Sequence, residues 1–144
     1  MQTQNYANHK RYVFMFHGVL LFVLVITIIG SFVNFYESLG DHQRIYSASL
    51  ISILGICTLM LLAFLRGFTT KLQNRVIRSE ENMRHFVLTG KLLNPKLTMN
   101  QIVALRFASD EEYLPLVKRA LDKNLSNDAI KRAVKNWRAD NYRV

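Results

Sequence analysis

Two apolar runs without a single charge, residues 13–35 and 45–65, leave a short chain few ways to fold. The first is 23 residues long and the second 21. As helices rising about 1.5 Å per residue, each would reach roughly 31–35 Å, enough to cross a hydrocarbon layer of about 30 Å. Neither run alternates with the two-residue period of a barrel strand, and both are too long for a buried strand. Both are read as transmembrane helices. Lys10 and Arg11 would also suit the basic head of a signal peptide. The first run, however, exceeds the roughly 7–15 apolar residues of such a leader, and SFVNFYESLG offers no small-x-small cleavage pattern, so an uncleaved anchor is expected.

The connection, residues 36–44 (YESLGDHQR), is too short for anything but an antiparallel hairpin. It carries Glu37 and Asp41 against Arg44, whereas Lys10, Arg11, Arg66, Lys71, Arg75 and Arg78 flank the other ends of the spans. The positive-inside bias therefore expects both termini in the cytoplasm and the connection outside. Thr27, Gly30, Ser31 and Asn34 on the first span, and Ala48, Ser52 and Gly55 on the second, recur at helical spacing and form a candidate packing seam. An ion or proton path along them finds no acid or base in either span except His17, which lies near the inner boundary. Cys57 sits inside the second span as a small apolar filler.

Helical periodicity does not stop at the membrane: residues 45–90 read as one long helix that changes solvent partway. Beyond the span, residues 69–90 form a basic amphipathic stretch. Lys71, Arg75 and Arg78 fall at i, i+4, i+7, and with Arg66 they suit anionic headgroups, at about 1 kcal/mol per residue near the surface. Enforcing topology alone is an equally open role. Leu72, Val76, Met83 and Phe86, adjoined by Val87, form an apolar stripe that needs a partner or the more C-terminal helices to cover it. Glu80 precedes Arg84 by four residues, a helix-supporting pair.

Gly90 is a natural C-cap, and Asn94-Pro95 interrupts the chain beyond it. Residues 91–144 then read as a cytosolic unit of about three short helices. Thr98-x-x-Gln101 and Ser109-x-x-Glu112 have the form of capping boxes, and Ser126 caps a third helix running from Asn127 to Asp140. Some forty residues of helix are too few to bury a good core alone, so docking on the stripe or on another subunit is expected. The expected fold is thus all-α: residues 1–12 a cytoplasmic segment, 13–68 a transmembrane hairpin, 69–90 a juxtamembrane helix, 91–144 the helical unit.

Residues 100–117 have a helix-turn-helix outline, but Asp110, Glu111 and Glu112 would meet phosphates with carboxylates. Lys131, Lys135 and Arg138, on one stripe of the third helix near Trp137, form a candidate basic binding face. From residue 69 onward fifteen Lys and Arg stand against eight Asp and Glu, which a negatively charged inner leaflet explains without nucleic acid. Glu81 and His85 share a helix face, too few ligands for a metal site. No nucleophile–base pair or phosphate loop is present in the sequence, so neither catalysis nor a cofactor is expected.

Several stretches, QNYANHKRY, HQRIYSASL, RSEENMRHFVLTGKLL, LTMNQIVALRFASDEE and IKRAVKNWRADNYRV, carry a resemblance together. Through them the whole chain resembles an uncharacterised family of small bacterial two-span membrane proteins, catalogued as a domain of unknown function. The resemblance implies the bacterial cytoplasmic membrane and carries no activity, cofactor or partner. The function expected is that of a non-enzymatic membrane-anchored scaffold or accessory subunit that binds another protein or its own copies. A membrane-tethered nucleic-acid binder and a small oligomeric channel are the alternatives.

Overall fold

In the computed structural model, which describes residues 4–8 and 12–140, the chain is all-α. His9, Lys10, Arg11 and Arg143 lie outside the described residues. A six-residue π-helical stretch, Met15–Leu20, leads into α1, Leu21–Glu37. After these come α2, His42–Thr89, α3, Met99–Leu105, α4, Asp110–Asp122, and α5, Asn127–Ala133. Met15–Glu37 and His42–Thr89 are both long and apolar enough to cross a membrane.

The ends of α2 arise from local chemistry. Asp41 accepts hydrogen bonds from the backbone N–H groups of Gln43 (3.0 Å) and Arg44 (3.3 Å), satisfying orphan donors of the first turn. Forty-eight residues later the helix stops at Gly90, whose φ of +71° costs a residue without a side chain little. Its N–H still reaches Phe86 O at 2.7 Å.

The chain divides into two compact units. One is Tyr12–Thr69, where α1 and the first half of α2 run antiparallel. Ser52 Oγ donates to Ser31 O at 3.1 Å, and a Cβ on Gly55 would stand 3.1 Å from Ile28. Three steps back along α1 thus match three steps forward along α2. The same pairing carries on to His17, Leu21, Leu62 and Arg66, which with Leu59 line a small apolar recess of about 200 Å³. Ser31, Ser38, Ala48 and Ser52 are the buried residues here, while Phe22, Leu54 and Phe64 face outward.

The other unit takes the remaining described residues. Its core is built from Ile102, Ala104, Leu105, Phe107 and Ala108 around α3, Tyr113, Leu116, Val117 and Ala120 on α4, and Ile130 on α5. Burial of side chains such as Ile102 and Phe107 contributes about 1.5–3 kcal/mol each. Ile77 of α2 closes this core, so the short helices do use α2 as a wall. Thr98 and Gln101 form a complete capping box at α3. Ser126 caps α5 through the Ala129 N–H. At α4 the expected box does not form, because Glu112 accepts instead from the N–H groups of Lys135 (3.0 Å) and Asn136 (3.3 Å). Asn124, in the left-handed region, lets Leu125 N–H return to Ala120 O at 3.2 Å and end α4.

The last helix is shorter than its periodicity suggests. Val134 is already extended, and the chain then pairs Arg138 N–H with Phe107 O (2.8 Å) and Ser109 N–H with Asn136 O (3.1 Å). Trp137 packs on Phe107 with ring centroids 4.9 Å apart. Those two bonds and the Phe107–Trp137 contact are what the chain makes in place of a further helical turn. The N-terminal residues belong to this unit too: the Tyr6 hydroxyl donates to Asp128, and Asp140 N–H donates to the Gln4 side chain at 2.8 Å.

Candidate functional site

Three surfaces carry the candidate side chains, and each is set by which face of a helix is covered. On the second half of α2, Ile77 and Glu81 are buried, with Arg84 and His85 half-buried beside them. This face receives the short helices. At about 100° per residue, Leu72, Val76, Met83 and Phe86 fall on the far side, and they are 49–64% exposed. The stripe is therefore not the surface on which the short helices dock. Polar residues outcompete it, because the docking face is held by an ion pair that the apolar pattern conceals.

That lock is centred on Arg84. Its guanidinium donates to Asp110 Oδ1 (2.7 Å) and Ala108 O (2.7 Å), lies 3.4 Å from Glu81 Oε2, and stacks 4.2 Å from the centre of the Tyr113 ring. Tyr113, fully buried, donates its hydroxyl to Glu81 O at 3.3 Å. Arg84 thus pairs with Glu81 and Asp110 rather than with Glu80. Burial raises the Glu81 carboxyl above its ordinary value of 4.5, a rise that Arg84 and Tyr113 partly offset. Burial, and then the charge of Glu81, also raises the Tyr113 hydroxyl. His85 faces Tyr113 and places its Nδ1 2.7 Å from Lys91 O, so its imidazole pairs with that carbonyl while the Glu81 carboxylate meets Arg84. A groove of about 560 Å³ lies beside the lock, bordered by Met83, Val87, Arg106 and Asp140; Arg106 and Asp140 are paired at 2.9 Å. The fixed, mutually satisfied charges of this cluster hold two elements together, a structural office.

Local residue patterns give little sign of the lock. Acidic residues at 110–112 suggest only a favourable first turn. Asp110 instead reaches Arg84, 26 residues earlier, and Glu112 caps a backbone turn 23 residues later.

The basic surfaces divide similarly. Lys71, Arg75 and Arg78 are exposed along α2 at i, i+4, i+7, as is Arg66 in the other unit. Lys131, Lys135 and Arg138 do not share a helical stripe, because α5 closes at Ala133 and Arg138 lies on the extended return beside Phe107. The arrangement on which a basic recognition helix depends is absent from these residues.

Of the seam residues, Ser31, Ala48, Ser52 and Gly55 meet across α1 and α2. Thr27, Gly30 and Asn34 lie off the contact and are exposed, Thr27 returning its hydroxyl to Val23 O at 2.8 Å. Among the described residues no group of three or more His, Cys, Asp or Glu is arranged to hold a metal ion. Cys57 is exposed on α2.

No curated protein and no solved structure is similar to the chain at a significant level. A family model, described as a family of unknown function (DUF6526), matches residues 1–144 from end to end. The chain therefore belongs to this family.

Proposed function

We propose that the protein is a two-span protein of the bacterial cytoplasmic membrane with both termini in the cytoplasm, acting as a non-enzymatic interaction or accessory subunit. The observation that carries the interaction reading is the bare stripe Leu72, Val76, Met83, Phe86, flanked by the exposed Val87 and Leu92, on a unit whose short helices bury their large apolar side chains. The topology draws support from the placement of the N-terminal residues. Gln4 and Tyr6 bond to Asp140 and Asp128, so segments before the first apolar helix and after the second share one body. An even number of spans permits that. The exposed Lys71, Arg75 and Arg78 then face anionic headgroups at the inner surface.

Purification of the full chain in mild detergent tests the interaction reading. Particles heavier than one 16.7 kDa chain plus its micelle are expected, and a monodisperse single chain would contradict it.

A further inference from the structure

The geometry points to a second copy of this chain as the occupant of the bare stripe, through a parallel two-fold pairing of residues 72–86 of α2. This names the partner for the proposed interaction role and rests on that role.

Leu72, Val76, Ser79, Met83 and Phe86 are separated by four, three, four and three residues, the alternation that keeps one seam facing a partner helix over two heptads. In that register Val76 and Met83 take the a positions and Leu72, Ser79 and Phe86 the d positions. Val76 at a beside Leu72 at d is the layer whose residue types suit two parallel strands. The residues flanking the seam decide between occupants. Arg75 stands at g and Glu80 at the following e, both exposed on α2. In a parallel pair the g residue of one helix meets the e residue five positions on in its partner, so Arg75 of each copy faces Glu80 of the other, twice by symmetry. In an antiparallel pair along the same seam g faces g and e faces e, so Arg75 would meet Asn82 and Glu80 would meet Gln73, and both ion pairs would be lost.

The seam residues are exposed, and Met83 also borders the groove lined by Glu80, Val87, Arg138 and Asp140. Ile77 and Glu81 point to the opposite side of α2, where the short helices pack, so two copies can approach without disturbing either core. Two chains inserted the same way in one membrane also present these helices parallel, and confinement to the bilayer raises their effective concentration.

The test uses the full chain in its native membranes, with Cys57→Ser as background and single cysteines Val76→Cys, Ser79→Cys, Met83→Cys and, off the seam, Arg78→Cys. In a parallel two-fold pair each seam residue meets its own counterpart, within the separation a disulfide spans. Mild oxidation is expected to give a dimer of the chain at residues 76, 79 and 83 and to lose it at residue 78. Adding Arg75→Glu to the Val76→Cys chain should weaken the dimer, and Glu80→Arg on top should restore it. Equal cross-linking at all four positions, or none, overturns the proposal. So does cross-linking of the seam cysteines to a different protein, which leaves the interaction reading standing. Seam cysteines shielded from a water-soluble thiol reagent without any dimer would place lipid on the stripe and overturn it as well. Release of the chain from membranes by alkaline carbonate would sink the membrane reading, a result separate from the cross-link pattern.

Discussion

The two units bury opposite kinds of side chain. In Tyr12–Thr69 the buried positions are Ser31, Ser38, Ala48 and Ser52, and large residues such as Phe22, Ile29, Leu54 and Phe64 face outward. In the other unit Tyr113, Phe107, Ile102, Leu105 and Ile130 are inside, and Lys118, Arg119 and Lys123 are outside. The difference is the one that the proposed membrane placement of Tyr12–Thr69 would produce. In water, covering large apolar groups drives assembly at about 25 cal/mol per Å². Where the surroundings are themselves apolar, that drive vanishes, and helices associate through small residues that let backbones approach and through hydroxyl bonds such as Ser52 to Ser31. The stripe on residues 72–86 exposes large apolar groups as the first unit does, yet it belongs to the second, which is why it reads as an interface.

Substitutions break the contrast most sharply where the water-type unit is densest. Tyr113→Ala removes a fully buried ring and its contacts to Arg84 and Glu81, and should cost about 3–5 kcal/mol, read by unfolding of the detergent-solubilised chain through its single tryptophan, Trp137. Arg84→Ala leaves Glu81 buried without its cation and should cost about 3 kcal/mol; Arg84→Met combined with Glu81→Leu should recover much of that.

Effects in the other unit should be smaller and of a different kind. Gly55→Leu drives a side chain into Ile28, and should cost about 1–3 kcal/mol of α1–α2 association, whereas Gly30→Leu, with open space around it, should stay within about 0.5 kcal/mol. Cross-linking between cysteines placed across the α1–α2 seam would compare the two. If both glycines behave alike, the seam has been misplaced.

The smallest effect concerns proton binding. Because burial raises the Glu81 carboxyl, the folded chain holds that proton more tightly than the unfolded one. The corresponding stability is full below the ordinary value of 4.5 and is lost as pH rises through the raised value. Glu81→Gln should remove this loss. At neutral pH the variant should be unchanged or more stable by at most about 1 kcal/mol, with a flatter stability profile above pH 4.5. A variant that is less stable than the parent only at neutral pH would show that the Arg84 pair outweighs desolvation.

Much of this contrast is written in local sequence. The all-α class is legible in helical periodicity, and the starts of α3 and α5 in Thr98 and Ser126, whose side chains meet their own first turns. Such signals reach only three or four residues. What the residue pattern conceals is long-range: Arg84 choosing Asp110, Glu112 capping Lys135 and Asn136, and Trp137 pulling the chain off α5 onto Phe107. For the same reason the apolar stripe suggested the docking face of α2, while Ile77 and Glu81 supply it. On α1, helical spacing alone puts Thr27 and Asn34 beside Ser31, and only the register with α2 separates them.

Thiol labelling in intact cells addresses the two-span reading most directly. With Cys57→Ser as background, Leu39→Cys lies in the connection between α1 and α2 and Lys123→Cys at the end of α4, both exposed. Two spans with cytoplasmic termini predict that a membrane-impermeant maleimide labels Leu39→Cys in intact cells with an opened outer envelope, and Lys123→Cys only after lysis. Labelling of both positions before lysis, or of neither until lysis, would contradict it.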